Sequence, residues 1–443
     1  MMILAKKLSP EGYGLFNVIL SLVALFTVFA NSGMNLVLTR EVTLFPKSTN
    51  TIFSLIVPIR IISFLIATIS LLIYLYFKSF DYDLIFIFAI ILILANNLWD
   101  VSESIAFGHL ITKYTTLFNL IFSSIWLLTV VFLPKNILNI RVIVICYSVI
   151  LFLKGIAYLL TVYHKFVVEN KESISLTWQS IFIMCVPYLW LRVLGALTDQ
   201  VPILMLNDNS GSAEVGYFSV GSRLILPITL MINTGLRAVF PFLTKLFKED
   251  LQLFKTRIID GFGFIMISGT LIAAFLVLTS KYWIVFIFGV DYFNAIAVFN
   301  SMAWFGVLLC FDLLLSTCLS SSYKQKILAI ITTIDFLIVF PIFYIGANYG
   351  ALGFANAKLI GSAIVVLYHV IVFDKVLNLK LKFYQMFSGF FFFIIIFTVC
   401  TFLENIVFKL FLILTVTSAF ALFKESPVRR NIDLIRKLLL TKR

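Results

Sequence analysis

Runs of about twenty consecutive apolar residues recur from one end of this 443-residue chain to the other. That repetition leaves few folds open. In hydrocarbon every backbone N–H and C=O must be paired within the protein, so only helices and closed barrels cross a membrane. A barrel strand alternates apolar and polar residues, and no such alternation is present. Only 12% of residues are charged and the mean hydropathy is +1.07, against about 25% charged in a soluble domain. The expected fold is an all-α polytopic membrane protein with thirteen transmembrane helices. The first starts at Ser9, an N-cap before Pro10 at the first helical position, and runs to Leu36. The others cover 51–77, 82–107, 114–133, 140–162, 177–206, 213–240, 256–280, 294–319, 327–346, 351–373, 383–402 and 406–423. Connecting loops are short, the longest being 163–176 and 244–256, and no soluble domain fits between spans. The chain does not open with the short apolar core and cleavage site of a signal peptide.

A second feature divides the chain. Gly14, Phe16, Leu22, Thr27, Asn31, Gly33, Val37 and Leu44 recur at an offset of 202 as Gly216, Phe218, Leu224, Thr229, Asn233, Gly235, Val239 and Leu246. The paired Asn-x-Gly at fixed spacing raises the match above what apolar composition yields by chance. The chain therefore reads as two related halves. Six spans separate the copies, an even number, so both cross in one direction and the repeats are parallel. The second copy follows a complete span, whereas only Met1 to Leu8 precede the first; the first half is read as lacking its opening helix. The resulting division is an N-terminal lobe over 1–173, a C-terminal lobe over 174–375, two additional helices over 376–423 and a basic tail over 424–443. In that tail Ile432, Ile435 and Leu439 form a stripe among Arg429, Arg430, Arg436 and Lys437, the pattern of an amphipathic helix on an anionic leaflet.

Charge fixes orientation. Counting Lys and Arg in alternate loops gives 21 on one side and seven on the other, a positive-inside signal that places the C-terminus in the cytoplasm. The net charge of +13 is thus a topology signal, and nucleic acid is not an expected partner. Six further basic residues lie inside spans: Arg60, Lys154, Arg192, Arg223, Arg237 and Lys358. A charge at the bilayer centre costs about 2.5–3.5 kcal/mol on insertion scales, so it faces a cavity or a partner. Arg60, Lys154, Arg192 and Arg223 are placed deep and read as cavity-lining, with structural ion pairs as the alternative. Arg237 and Lys358 lie nearer to helix ends and can snorkel. Buried acids are fewer. Asp100 and Asp312 are a repeat pair, each followed four residues later by serine, and serve either as counter-ions or as coupling groups; Asp199 and Asp335 are further candidates. His109, His164 and His369 fall near expected cytoplasmic ends and read as interfacial. The five cysteines lie unpaired in apolar runs and read as packing residues. Gly-Lys occurs nowhere, so no P-loop is present, and HExxH is absent. No cofactor or metal is expected.

Short motifs carry a resemblance. Leu8-Ser9-Pro10-Glu11-Gly12-Tyr13-Gly14-Leu15-Phe16 and Leu38-Thr39-Arg40-Glu41 flank the first span. Val215-Gly216-Tyr217-Phe218 repeats the theme, and Phe288-Gly289-Val290-Asp291-Tyr292 and Tyr349-Gly350-Ala351-Leu352-Gly353 follow in the second half. In their order and spacing the chain resembles flippases of the multidrug/oligosaccharidyl-lipid/polysaccharide superfamily, especially the Wzx-type O-antigen or capsule repeat-unit branch. The resemblance implies two six-helix lobes, alternating access, and an undecaprenyl-pyrophosphate-linked oligosaccharide as passenger in the bacterial inner membrane. Polysaccharide polymerase and chain-length proteins are implied as partners, beside membrane lipid. Buried cations suit the diphosphate, since guanidinium binds phosphate oxygens bidentately. Trp190, Trp126 and Tyr188 are candidates for stacking on sugars. Two alternatives stand beside this reading. A cation-coupled multidrug exporter of the same superfamily is expected to favour buried acids, and a membrane polymerase needs a larger external loop than this chain has.

Overall fold

The computed structural model describes residues 1–78, 83–134, 139–168, 172, 176–322, 324–377, 383–403 and 405–422. The expected tail helix, 424–443, lies outside the described residues. The elements are helices: α1 (Met2–Lys7), α2 (Pro10–Asn31), α3 (Met34–Leu44), α4 (Thr49–Lys78), α5 (Asp83–Gly108), α6 (Lys113–Phe132), α7 (Ile140–Val162), α8 (Trp178–Ser210), α9 (Ser212–Arg223), α10 (Leu226–Glu249), α11 (Leu251–Phe288), α12 (Ala295–Ser321), α13 (Gln325–Ala347), α14 (Gly350–Leu377), α15 (Phe383–Phe402) and α16 (Ile406–Leu422). Among the described residues, ten helices are long and apolar enough to cross a membrane, and the bent pair α9–α10 adds an eleventh. The last two expected spans are α15 and α16, whose described apolar portions, Gly389–Phe402 and Val407–Ala419, are shorter. The chain is a polytopic helical membrane protein.

Helix α4 shows why a bilayer suits this sequence. Its buried residues, Ile52, Ile56, Arg60, Ser63, Ala67, Leu71 and Leu75, recur every three or four positions and make one stripe. The opposite face holds Ile61, Ile62, Leu65, Ile66, Ile69, Leu72 and Ile73, all exposed. A soluble helix would carry polar residues there; here both faces are apolar and the inner one holds the charge. Lipid tails are as apolar as leucine, so close backbone approach and polar contacts hold such helices together.

The contacts divide the chain into two compact units, Met1–Gly216 and Tyr217–Arg443. In the first, α2 packs against α4, α5 and α8, and α5 against α7. In the second, α12 packs against α10, α11 and α14, and α13 pairs with α14. Helix α8, which the sequence repeat assigns to the second half, packs in the first unit against α2, α3 and α4.

Three boundaries differ from those read in the sequence. The first span does not continue to Leu36: Ser32 (φ 46°) and Gly33 (φ 71°) are both left-handed and separate α2 from α3. Gly33 is required twice over, because a Cβ there would also stand 2.6 Å from the backbone nitrogen of Leu189 on α8. In the second copy the break falls earlier, at Leu224–Ile225, with a bend of 42°; Gly235 lies inside α10, where a Cβ would meet nothing within 4 Å. The expected loop over 244–256 is mostly helix, because α10 runs to Glu249 and Asp250 caps α11 by accepting from the Leu253 amide at 2.9 Å. Elsewhere the agreement is close. Ser9 Oγ accepts from the Gly12 amide at 3.2 Å with Pro10 at the first helical position.

The repeat also appears as a contact. A Cβ on Gly14 would stand 1.6 Å from the Ser212 carbonyl oxygen, and one on Gly216 would stand 2.1 Å from the Pro10 carbonyl oxygen. Pro10 and Ser212 are themselves a pair at offset 202. Within the first unit, α2 and the first turn of α9 therefore cross through equivalent atoms, each using its glycine.

Candidate functional site at the broken helix

Breaking a helix inside a membrane frees backbone groups that something must satisfy. At the end of α2, Asn97 Nδ2 on α5 donates to the Ala30 carbonyl at 3.1 Å. Ser32 Oγ donates to the Phe29 carbonyl at 2.8 Å and stands 2.6 Å from Ser63 Oγ on α4, whose hydroxyl can donate to it. Asn97 also holds Arg60, which lies one turn before Ser63 on α4. Its Nη1 donates to Asn31 Oδ1 and to Asn97 Oδ1, both at 3.2 Å, and its Nη2 to Asn35 Oδ1 at 2.6 Å. Asn31 in turn donates to Asp100 on α5. The guanidinium lies at the carbonyl end of α2, where the helix dipole favours a cation.

Two features of this cluster bear on its chemistry. Arg60 is 4% exposed, yet among the described residues its hydrogen-bonding shell contains neutral amide oxygens only; Asp100, bonded to Asn31, interacts with its charge without touching it. Its Nε is buried without a partner among the described residues. Arg192 on α8 is exposed and stands close enough to Arg60 for the two charges to interact.

The other sequence candidates are dispersed. Lys154 lies 3.7 Å from the Trp99 ring centroid and donates to Asn119 Oδ1 at 2.6 Å, with Trp99 packed against Tyr158 at 4.7 Å. Arg223 is the last residue of α9, at the second break, and is half-buried. Asp199 is exposed on α8. The side chain of Arg237 lies outside the described residues. Lys358, a binding candidate near enough to a helix end to snorkel, is 8% exposed. Its Nζ lies 5.7, 4.9 and 5.4 Å from the ring centroids of Phe305, Phe343 and Phe354, an arrangement in which ring faces offset part of the lost hydration.

Asp312 and Asp335 meet at His369 in the second unit: its ring is hydrogen-bonded to Asp335 and within ion-pair distance of Asp312. The interfacial reading of His369 is corrected: it is 6% exposed. Helix α14 runs to Leu377, past the expected end at 373, so His369 stands eight residues, about 12 Å, from its end. His109 does sit at a helix end, just beyond α5. It stacks on Phe166 at 4.5 Å and meets Thr49 Oγ1 at 3.0 Å, and burial lowers its pKa below 6.5. Among the stacking candidates, Trp190 is 55% exposed and Trp126 packs on Tyr147 at 4.8 Å.

Asn35 and Asn97 were missed by the sequence reading. Both are amides in apolar runs, and that was the available signal. Asn31 was visible through the repeat.

Known proteins share this architecture. The chain is similar to an inward-facing multidrug resistance transporter of the MATE family and MOP superfamily, with a TM-score of 0.67 and 15% identity, covering 86% of this chain and 94% of that one. It is similar to the lipid II flippase MurJ in an inward closed conformation, with a TM-score of 0.64 and 17% identity, covering 95% of each chain. A MOP superfamily transporter from Pyrococcus furiosus, described by the reversed polarity of its binding pocket, gives a TM-score of 0.53 and 15% identity, covering 84% of this chain and 88% of that one. These likenesses concern the fold. A search of curated proteins finds no match. Residues 1–247, more than half of the sequence, match the family described as Polysaccharide biosynthesis protein. The chain belongs to the polysaccharide biosynthesis protein family.

Proposed function

We propose that this chain is a flippase that carries an undecaprenyl-pyrophosphate-linked oligosaccharide, an O-antigen or capsule repeat unit, across the bacterial inner membrane by alternating access. The supporting observation is the state of Arg60. Its charge does not titrate, it is enclosed in the first unit, and among the described residues its hydrogen bonds go to neutral amide oxygens, with the Asp100 carboxylate near enough to interact but not in contact. An ion pair that served only to hold helices together would place a carboxylate there. A diphosphate supplies the missing anionic oxygens, and the unpartnered Nε is one donor able to receive them. Arg192 is the second contact, exposed beside it. Lys154, Arg223, Arg237 and Lys358 are further cations for the passenger's path, with Asp100 and Asp199 as counter-ions. Membership of a polysaccharide biosynthesis family supports the sugar part of the reading. The C-terminus faces the cytoplasm on this account, and a polymerase and chain-length proteins take the product on the far side.

A multidrug exporter is the second reading, favoured by the fold likeness to a multidrug resistance transporter. Cationic drugs would be repelled by Arg60 and Arg192, which weighs against it. Expression in a strain lacking its own O-antigen flippase, supplied with the cognate repeat-unit synthesis genes, separates the two. Restored surface polysaccharide, lost again in Arg60→Gln, supports the flippase. No restoration by protein that reaches the membrane overturns the substrate, and resistance to cationic dyes in that strain then establishes the exporter.

A further inference from the structure

The second unit contains a charged cluster of a different kind from that around Arg60. His369 on α14 lies between two carboxylates on two other helices. Its Nδ1 is 2.7 Å from Asp312 Oδ1 on α12. Its Nε2 is 2.8 and 2.9 Å from the two oxygens of Asp335 on α13. The His369 side chain is 7% exposed, that of Asp335 21% and that of Asp312 32%. Among the described residues, the titratable groups facing the imidazole are Asp312 from α12, Asp335 from α13 and, on its own helix, Tyr368, whose ring centroid is 5.6 Å away.

Counting protons shows what the cluster can do. A neutral imidazole has one N–H and one bare nitrogen. With two ionised carboxylates, one contact would set a bare nitrogen against a bare oxygen at hydrogen-bond distance. Both contacts are attractive when the three groups share two protons, as imidazolium between two carboxylates or as imidazole with one carboxylic acid. The cluster then carries one negative charge, and a third proton makes it neutral. Buried net charge is costly, so drying favours uptake of that proton and wetting favours its release. Groups this close titrate as one unit.

A cavity lies one turn along α12 from the cluster. On α12 one turn beyond Asp312 comes Ser316, on the same face. Ser316, Thr317 and Ser320 line a cavity of about 290 Å³ together with Leu313 and with Leu236 and Phe240 of α10. A water's share of liquid volume is about 30 Å³, so the cavity has room for several, and its lining residues Leu313 and Ser316 stand next to and one turn beyond Asp312, the most exposed acid of the cluster. In the first unit the repeat partner of Asp312, Asp100, is bound by Asn31 beside a guanidinium that does not titrate. Among the described residues no group of three His, Cys, Asp or Glu is arranged to hold a metal ion.

We propose that Asp312, His369 and Asp335 form a proton-binding site, reached through the hydroxyl-lined cavity beside α12, whose loading and emptying couple a proton gradient to transport. The site rests on the transporter reading for its use, but not for its existence. The three residues bridge α12, α13 and α14, so their charge state sets how tightly those helices hold together in the second unit.

Infrared spectroscopy of the purified protein in lipid nanodiscs, titrated between about pH 5 and about pH 8, tests the site without any substrate. A protonated-carboxyl band is expected to rise as pH falls. It should vanish or move in Asp312→Asn and in Asp335→Asn, both near-isosteric, and change its midpoint in His369→Gln. A band absent from the wild type, or unaltered in both Asn variants, overturns the site, and these two carry the test if His369→Gln fails to fold. Proteoliposomes loaded with undecaprenyl-pyrophosphate-linked oligosaccharide then test the coupling. Movement driven by a pH gradient in the wild type should fall to the level of empty vesicles in Asp312→Asn. Movement indifferent to the gradient overturns the coupling. A titrating band without movement of this lipid leaves the site standing and refutes the passenger.

Discussion

At the scale of single residues, the chain deals with buried polarity by shared duty. Asn97 satisfies the Ala30 carbonyl freed by the helix break and holds Arg60 with its other atom. Replacing it by alanine strips both, and leaving one buried acceptor unsatisfied costs about 1–3 kcal/mol. Asn97→Ala should therefore lower the melting temperature of the purified protein by more than Asn96→Ala, a neighbour with no hydrogen bond to the cluster among the described residues; equal melting curves would refute the bracing role. How far such residues were legible depended on their chemistry. Arg60 stood out because a charge in the middle of an apolar run demands a reason, and Asn31 because the repeat marked it. Asn35 and Asn97 did not, since a neutral amide is cheap enough in such a run to pass as packing. Lys358 was visible as a charge, but only three-dimensional packing could show that phenylalanine rings enclose it.

At the scale of elements, helix positions were legible from the length of apolar runs, while breaks inside them were not. The first copy breaks at Ser32–Gly33 and the second at Leu224–Ile225, although the Asn-x-Gly recurs in both. The difference lies in surroundings: Gly33 meets the backbone of α8, whereas Gly235 faces open space. The paired glycines Gly14 and Gly216 behave alike instead, each pressed against a carbonyl of the opposite copy. A methyl group at either must displace backbone, and overpacking of this kind costs about 1–3 kcal/mol. Gly14→Ala and Gly216→Ala should each destabilise the protein, and the double variant should cost less than their sum, because both open one crossing. Gly235→Ala should be neutral or stabilising by up to about 1 kcal/mol, as a glycine removed from a helix interior. Thermal melts in one detergent would read all four. A destabilising Gly235→Ala together with a silent Gly14→Ala would contradict the account.

At the scale of the whole molecule, the sequence carried class because class is a bulk property, and orientation is expected from loop charge in the same way. Apolar length sets the number of crossings, and loop charge sets their direction. The grouping of helices was less legible. Helix α8 joins the first unit although the repeat places it in the second half, and periodicity cannot say which neighbour a helix chooses. Orientation has a direct check. In intact cells a cysteine introduced as Lys281→Cys should react with an impermeant maleimide, and one introduced as Lys248→Cys should not; the reverse pattern would invert the topology. The central claim is that a caged guanidinium receives the diphosphate of a lipid-linked oligosaccharide. Its most direct test is flipping in proteoliposomes containing undecaprenyl-pyrophosphate-linked oligosaccharide, read as the sugar's accessibility to an impermeant oxidant, for wild type and Arg60→Gln. The account predicts transfer by the wild type and loss of at least about tenfold in the variant, since one hydrogen-bonded charge contributes about 1.5–3 kcal/mol. Equal transfer by both forms would contradict it.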